Sequence, residues 1–116
     1  MDIYHIWCDL KPAVKDLDFV QAADAYLAQL VRAEQLVTYR ITRRKLGLGH
    51  GDLGEFHLWL EFNNLAQLDA AFNQVASRTN PVETFHHAVN SKVANVAFAL
   101  YRDFPDASRE PGAELF

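Results

Sequence analysis

The sequence predicts an α+β domain, with two helices on one face of a four-stranded antiparallel sheet in the order strand-helix-strand-strand-helix-strand. Three observations predict it. Four stretches alternate apolar and polar residues as half-buried strands do, and helical periods fall between the first and second and between the third and fourth. A glycine-rich segment joins the second and third strands without a helix. Finally, His5-Ile6-Trp7-Cys8-Asp9 returns near mid-chain as His57-Leu58-Trp59-Leu60-Glu61. Successive side chains of a strand face opposite ways, so each copy puts His, Trp and a carboxylate on one face together.

Residues 3–10 form the first strand, ended by Lys11-Pro12 because proline removes an amide donor and restricts the residue before it. Asp16 or Asp18 caps a helix running to about Glu34; from Asp18, Gln21 completes a capping box. Val20, Ala23, Leu27, Leu30 and Val31 give that helix one apolar stripe, which needs a sheet to cover. Residues 36–46 alternate again, with Val37, Tyr39 and Ile41 on one face and Thr38, Arg40, Thr42 and Arg44 on the other.

The segment 47–54 holds four glycines and reads as a hairpin connection with His50 or Asp52 at its tip. Within it, residues 49–54 match the dinucleotide string G-x-G-x-x-G, but that pattern needs a helix to follow and here a strand follows. Residues 55–62 are the third strand. Asn63 or Asn64 starts a helix carrying Leu65, Leu68, Phe72 and Val75, which breaks at Ser77-Arg78-Thr79. Asn80-Pro81-Val82-Glu83 then reads as a fresh cap, and predicts a short extra helix near 81–90 that exposes His86, His87 or both. The last strand is 94–102, and a polar tail, 104–116, follows the domain 1–103, either disordered or laid across a neighbouring subunit.

The usual spatial order for this arrangement is 4-1-3-2. It makes the first and third strands central and adjacent; they are expected to run parallel, with the repeat at two equivalent positions of a pseudo-twofold domain. The helices leave one face open, carrying His5, Trp7, Asp9, His57, Trp59 and Glu61, with Thr38, Arg40, Thr42, Ala97, Ala99 and Tyr101 alongside. Monomers rarely expose a patch this apolar, and a second copy of the chain is the simplest cover.

On this element order and face patterning over residues 3–102, the chain resembles the dimeric α+β barrel superfamily, a ferredoxin-like fold. Its members pack two such sheets face to face. The resemblance implies a homodimer and a cavity between sheet and helices or between sheets. The superfamily includes cofactor-independent monooxygenases, haem-degrading enzymes, isomerases, dehalogenase-like enzymes and stress-responsive proteins, and fold alone does not choose among these.

With the two copies in register, His5 is expected beside His57, Trp7 beside Trp59 and Asp9 beside Glu61, each about 5 Å apart. Two carboxylates that close repel and would share a proton; Arg40, expected opposite Glu61, would relieve them, and Arg44 is expected opposite His57. The leading reading is a small-molecule site for a flat aromatic or polyketide-like compound. His5 or His57 would be the base, Asp9, Glu61 and Arg40 would set its charge, and Trp7, Trp59, Tyr101, Thr38 and Thr42 would line the ligand. An oxygenase-like or isomerase-like reaction without a cofactor fits it. The rival is a non-catalytic binding or stress-response module whose same residues form a satisfied polar layer inside a dimer.

A metal- or haem-binding protein is the third reading. Each His lies four residues from its own acid, about 13 Å along a strand, so one ion cannot take all four and no metal site is expected. The haem-degrading relatives combine a strand Trp with a helical His, for which Trp59 with His86 or His87 is the match here. Those histidines lie past the helix break, and adjacent helical residues point about 100° apart, so at most one faces inward. Ser77, Ser91 and Ser108 have no acid-base partners at a recognisable spacing.

The bulk composition sets the remaining bounds. A chain of 116 residues, 50% hydrophobic and 22% charged, is one ordinary globular domain. Its net charge of −4 argues against a nucleic-acid partner, and the basic run Arg40, Arg43, Arg44, Lys45 is split between two faces. One cysteine makes no internal disulfide, and Cys8 reads as an inert core thiol. No apolar run approaches the roughly 20 residues of a membrane span, and no leader pattern is present, so no membrane partner and a cytoplasmic location are expected.

Overall fold

The computed structural model describes residues 1–106 and 111–112. Strand β1 is Asp2–Leu10, helix α1 Asp16–Arg32, β2 Thr38–Arg43, β3 Phe56–Phe62, α2 Leu65–Ala76, α3 Val82–Asn90 and β4 Val93–Arg102. Of the expected polar tail, residues 107–110 and 113–116 lie outside the described residues. The sheet order is β2-β3-β1-β4, the expected 4-1-3-2 read from the other edge.

Local chemistry accounts for most element ends. Lys11 turns out of the sheet and its amide donates to the Lys92 carbonyl at 2.9 Å. Neither Asp16 nor Asp18 caps α1: Lys15 holds the cap position without a side-chain bond, and both acids sit in the first turn, where the helix dipole favours them. The start of α2 is reciprocal. Asn64 Oδ1 accepts from the Gln67 amide at 2.9 Å while Gln67 Oε1 accepts from the Asn63 amide at 2.7 Å. At the start of α3 the cap position belongs to Pro81, and Asn80 Oδ1 accepts from the Thr84 hydroxyl instead of a backbone amide.

The core lies between the sheet and the helices. Cys8, Phe56, Leu58, Leu60 and Phe62 point from the two central strands onto Phe19, Ala23, Leu27 and Leu30 of α1, and all are buried. Burial pushes the Cys8 thiol up to about 11, with the Asp9 charge adding to it, so it stays protonated and inert. The helical layer stops short of β4. On that strand Val96, Phe98 and Leu100 face the helix side yet remain exposed, as does Phe72 of α2.

The expected strand direction is overturned as well. The central strands β1 and β3 run antiparallel, not parallel. A helical crossover returns the chain so that β1 and β2 share a direction, whereas the 44–55 connection reverses it, so β3 opposes both. The partners therefore change. His5 faces Trp59, Trp7 faces His57, and Ile6 faces Leu58 at the centre of the pseudo-twofold. The β2 register differs as well: Thr38 faces Glu61, Arg40 faces Trp59 and Thr42 faces His57, while the Arg44 amide donates to the Glu55 carbonyl at 2.7 Å.

A register shift between Trp7 and Asp9 marks a bulge in β4. Asn95 takes the left-handed conformation there (φ 54°), which Asn tolerates well, and its amide donates to Asp9 Oδ2 at 3.2 Å. At the entry to β3, a Cβ on Gly54 would fall 2.4 Å from the Cys8 carbonyl carbon, so the two backbones meet where no side chain fits.

Gly54→Ala must push β1 from β3 and should lower stability by about 1–3 kcal/mol in urea unfolding. Gly51→Ala, with a left-handed backbone but open space around it, should lose only about 1 kcal/mol.

Candidate functional site

The open face of the sheet carries an aromatic and imidazole layer centred on the two copies of the repeat. Strand twist brings one diagonal of neighbouring residues together, and here the close diagonal is His5 with His57. Their rings lie 5.1 Å apart, with His5 Nδ1 2.9 Å from His57 Nε2. Trp7 stacks on His57 at 4.5 Å and 9°, and Tyr101 meets the His5 ring edge-on at 5.0 Å.

The hydrogen bonds of this layer have one direction. The Trp59 indole can only donate, and its Nε1 lies 3.2 Å from His57 Nδ1. His57 must therefore carry its proton on Nε2, which donates to His5 Nδ1. His5 in turn carries its proton on its own Nε2. Adding a proton to either ring breaks the Trp59 bond or puts two N–H groups head to head. Burial lowers the pKa of both histidines, with the neighbouring His5 charge adding at His57, and the hydrogen-bond chain acts in the same direction.

The other open-face candidates are dispersed or engaged. Asp9 and Glu61, expected side by side, sit at opposite ends of the layer because antiparallel pairing places Asp9 by Glu55 and Glu61 by Ile3. Asp9 and Glu61 therefore do not form the proton-sharing pair that was expected. Asp9 accepts from the Glu55 amide at 2.9 Å and from Asn95, bonds that hold its carboxyl below the usual range. Arg40, expected opposite Glu61, instead lies over the Trp59 ring at 5.5 Å. The Thr42 hydroxyl donates to the His57 carbonyl at 2.7 Å. Arg44 donates to the Leu53 carbonyl at 2.6 Å rather than reaching His57. Among the described residues no group of three or more His, Cys, Asp or Glu could hold a metal ion.

A second feature lies on the opposite face. Where the helices stop short of β4, a cleft of about 780 Å³ opens between helices and sheet. Tyr4, Ile6, Leu58 and Phe98 form its floor, and Tyr26, Phe72, Val75 and His86 belong to its helical walls. Tyr4 stacks on Phe98 at 5.7 Å and meets Phe72 edge-on at 5.1 Å. The Tyr26 ring lies 5.7 Å from His86, and burial raises its hydroxyl to about 12, with Tyr4 adding to the rise. Neither tyrosine hydroxyl, nor the His86 ring, has a hydrogen-bond partner among the described residues.

The haem pairing of Trp59 with His86 or His87 does not assemble. His86 lines the helix-side cleft, His87 is exposed, and Trp59 lies across the sheet from both. The resemblance implied a cavity between sheet and helices or between sheets, but the residues that line this cleft were not singled out as a site. Its signals were Tyr26, a phenol on the apolar stripe of α1, and Tyr4, its counterpart on the inward face of β1.

Comparison with known proteins places this geometry. The chain belongs to the family of unknown function DUF6614, whose model matches residues 1–116. No curated protein matches it in sequence. Among solved structures it is similar to At3g17210 of Arabidopsis thaliana, at TM-score 0.70 and 10% identity, over 89% of this chain and 95% of that one. It is also similar to SnoaB of Streptomyces nogalater, a cofactor-independent oxygenase, at TM-score 0.68 and 8% identity, over 93% and 97% of the two chains. A dimeric ferredoxin-like protein of unknown function from Jannaschia sp. CCS1 matches at TM-score 0.60 and 14% identity, over 89% and 100%. The fold is thus that of the dimeric α+β barrel proteins. No helix among the described residues is long and apolar enough to cross a membrane.

Because folding lowers the pKa of both histidines, the unfolded chain binds more protons below the ordinary value of about 6.5. Stability should be full above that pH and fall as the pH drops through it towards the folded values. Urea midpoints measured at about pH 7.5 and 5 should show the loss, and His5→Phe with His57→Phe should reduce it. In Trp59→Phe the freed His57 Nδ1 should accept a proton more readily, raising the imidazole pKa followed by NMR.

Proposed function

We propose that the chain is a homodimeric small-molecule-binding protein, its open sheet faces packed together and its ligand held in the helix-side cleft. The observation that carries this is the contrast between the two faces. On the open face hydrogen bonds run through the centre of the layer: His57 uses both ring nitrogens, on His5 and Trp59, Thr42 binds backbone, and Arg40 covers an indole. A layer of that kind suits burial against a second copy, where an unpaired polar group would cost about 1–3 kcal/mol. This favours the structural reading of His5, His57, Trp7, Trp59, Thr38, Thr42 and Tyr101 over the catalytic one. The dimeric relatives of the same fold support it.

In the cleft the reverse holds. Its walls are mostly apolar, and two phenols and one imidazole line it with no hydrogen-bond partner among the described residues. Such a site suits a flat, largely apolar ligand fixed by a few hydrogen bonds. Tyr26 and Tyr4 stay protonated at neutral pH and serve as donors. His86, the only imidazole in the lining, is placed to take a proton from an acidic hydroxyl of a bound aromatic. An oxygenase-like reaction without a cofactor is the chemistry this supports, and the fold shared with SnoaB agrees with it.

Two measurements test these halves separately. Ala99→Arg, which puts a cation opposite His5 on the open face, should convert a dimer to a monomer in sedimentation. The emission of Trp7 and Trp59, the chain's two tryptophans, should shift to the red with it. A wild-type monomer would overturn the dimer. Separately, 1-naphthol should raise the melting temperature of wild type but not of Val75→Trp, whose indole fills the cleft. An equal rise in both proteins would overturn the cleft as the site.

A further inference from the structure

We propose that the glycine-rich connection builds a second binding site, for a flat aromatic carboxylate, at the end of the open face. A pocket of about 440 Å³ is lined by Trp7 and His57 of the sheet and by Arg44, His50 and the glycine-rich loop. Trp7 and His57 border both this pocket and the face assigned to the second copy, so the inference rests on a dimer that leaves the loop end of that face open. The pocket lies across the sheet from the helix-side cleft, and of the strand residues lining either one, none lines both.

The loop holds Arg44 in place. Its guanidinium donates to the Leu53 carbonyl at 2.6 Å. A Cβ on Gly49 would fall 2.4 Å from Arg44 Nε and 2.9 Å from Cζ, so the chain passes against the guanidinium and a larger residue there would displace it. Gly49, one of the glycines that match a nucleotide motif as a string, thus seats a cation.

That cation is not neutralised. The Glu55 carboxylate, also in the lining, is taken by Arg43 at 3.3 Å, and Asp9 is taken by the Glu55 amide and Asn95. Asp9 feels the Arg44 charge, but among the described residues Arg44 makes no ion pair. One of its five N–H groups is spent, and the rest of the fork is free for a planar anion. Across the pocket the Trp7–His57 stack, parallel at 4.5 Å, offers an aromatic wall for the ring that carries the carboxylate. His50, exposed at the rim, adds a second donor.

Calorimetric titration with 2-naphthoate tests the site on the full chain. Wild type should bind, Arg44→Gln should weaken binding by about tenfold or more, and Arg44→Lys should fall between them. Trp7→Leu should weaken it as well, while Val75→Trp, which blocks the helix-side cleft, should leave it unchanged. No binding by wild type, or equal binding by Arg44→Gln, overturns the proposal. Loss in Val75→Trp with Arg44→Gln unaffected also overturns it, and assigns the probe to the helix-side cleft.

Discussion

The antiparallel pairing of β1 with β3 about Ile6 and Leu58 is the constraint on which the rest of the structure depends. It sets how the inward residues Cys8, Leu58 and Leu60 are arranged in the core shared with α1. It also sets the chemistry of the outer face. Antiparallel pairing of a repeated His-x-Trp crosses the copies, so each His faces a Trp and the two histidines meet on the diagonal. Parallel pairing would have stacked like on like and brought the acids together. The observed pairing sends them to opposite ends of the layer, where Asp9 fastens the bulge and the Glu55 amide.

The two faces of the sheet are consequently unlike in how they treat polar atoms. On the helix side, burial is nearly complete under α1 and fails towards β4, because the helices do not reach that edge. The cleft is the space left by that mismatch, and the groups at its walls are those no helix residue satisfies. On the open side, no helix is present, yet the side chains satisfy one another laterally along the sheet. Arg43 shows the same economy at the sheet margin, where Asp16 and Glu55 flank it and the basic run never becomes a patch.

Element order, strand faces and the helix break near Ser77 were legible from periodicity, because alternation reports which way a side chain points. Alternation is blind to strand direction, which is why the open-face residues were placed on the right face with the wrong partners. His5 and His57 were expected together and are together, although across a diagonal instead of a rung. The pairing of Arg40 missed by one face-sharing position, since hairpin register depends on loop conformation and the 44–55 connection is too long to fix it by turn type. The lining of the cleft was illegible for a different reason. Phe72 read as an inward residue from its spacing, and whether an inward residue packs or lines a space depends on how far a helix extends over the sheet, which no local pattern records.

The direction of the hydrogen bonds in the outer layer has a further consequence. An indole donates and never accepts, so Trp59 dictates the tautomer of His57, and His57 dictates that of His5. Two imidazoles are thereby held in one protonation state by a single group that cannot itself titrate in the accessible range. A face covered by a second copy, as proposed, is best served by imidazoles that stay uncharged, since an unpaired charge taken from water costs several kcal/mol. Histidine would be a poor choice for such a position if its charge were free to change near neutral pH. Beside Trp59 it is a neutral aromatic ring with one donor and one acceptor, which is the property a buried polar layer requires.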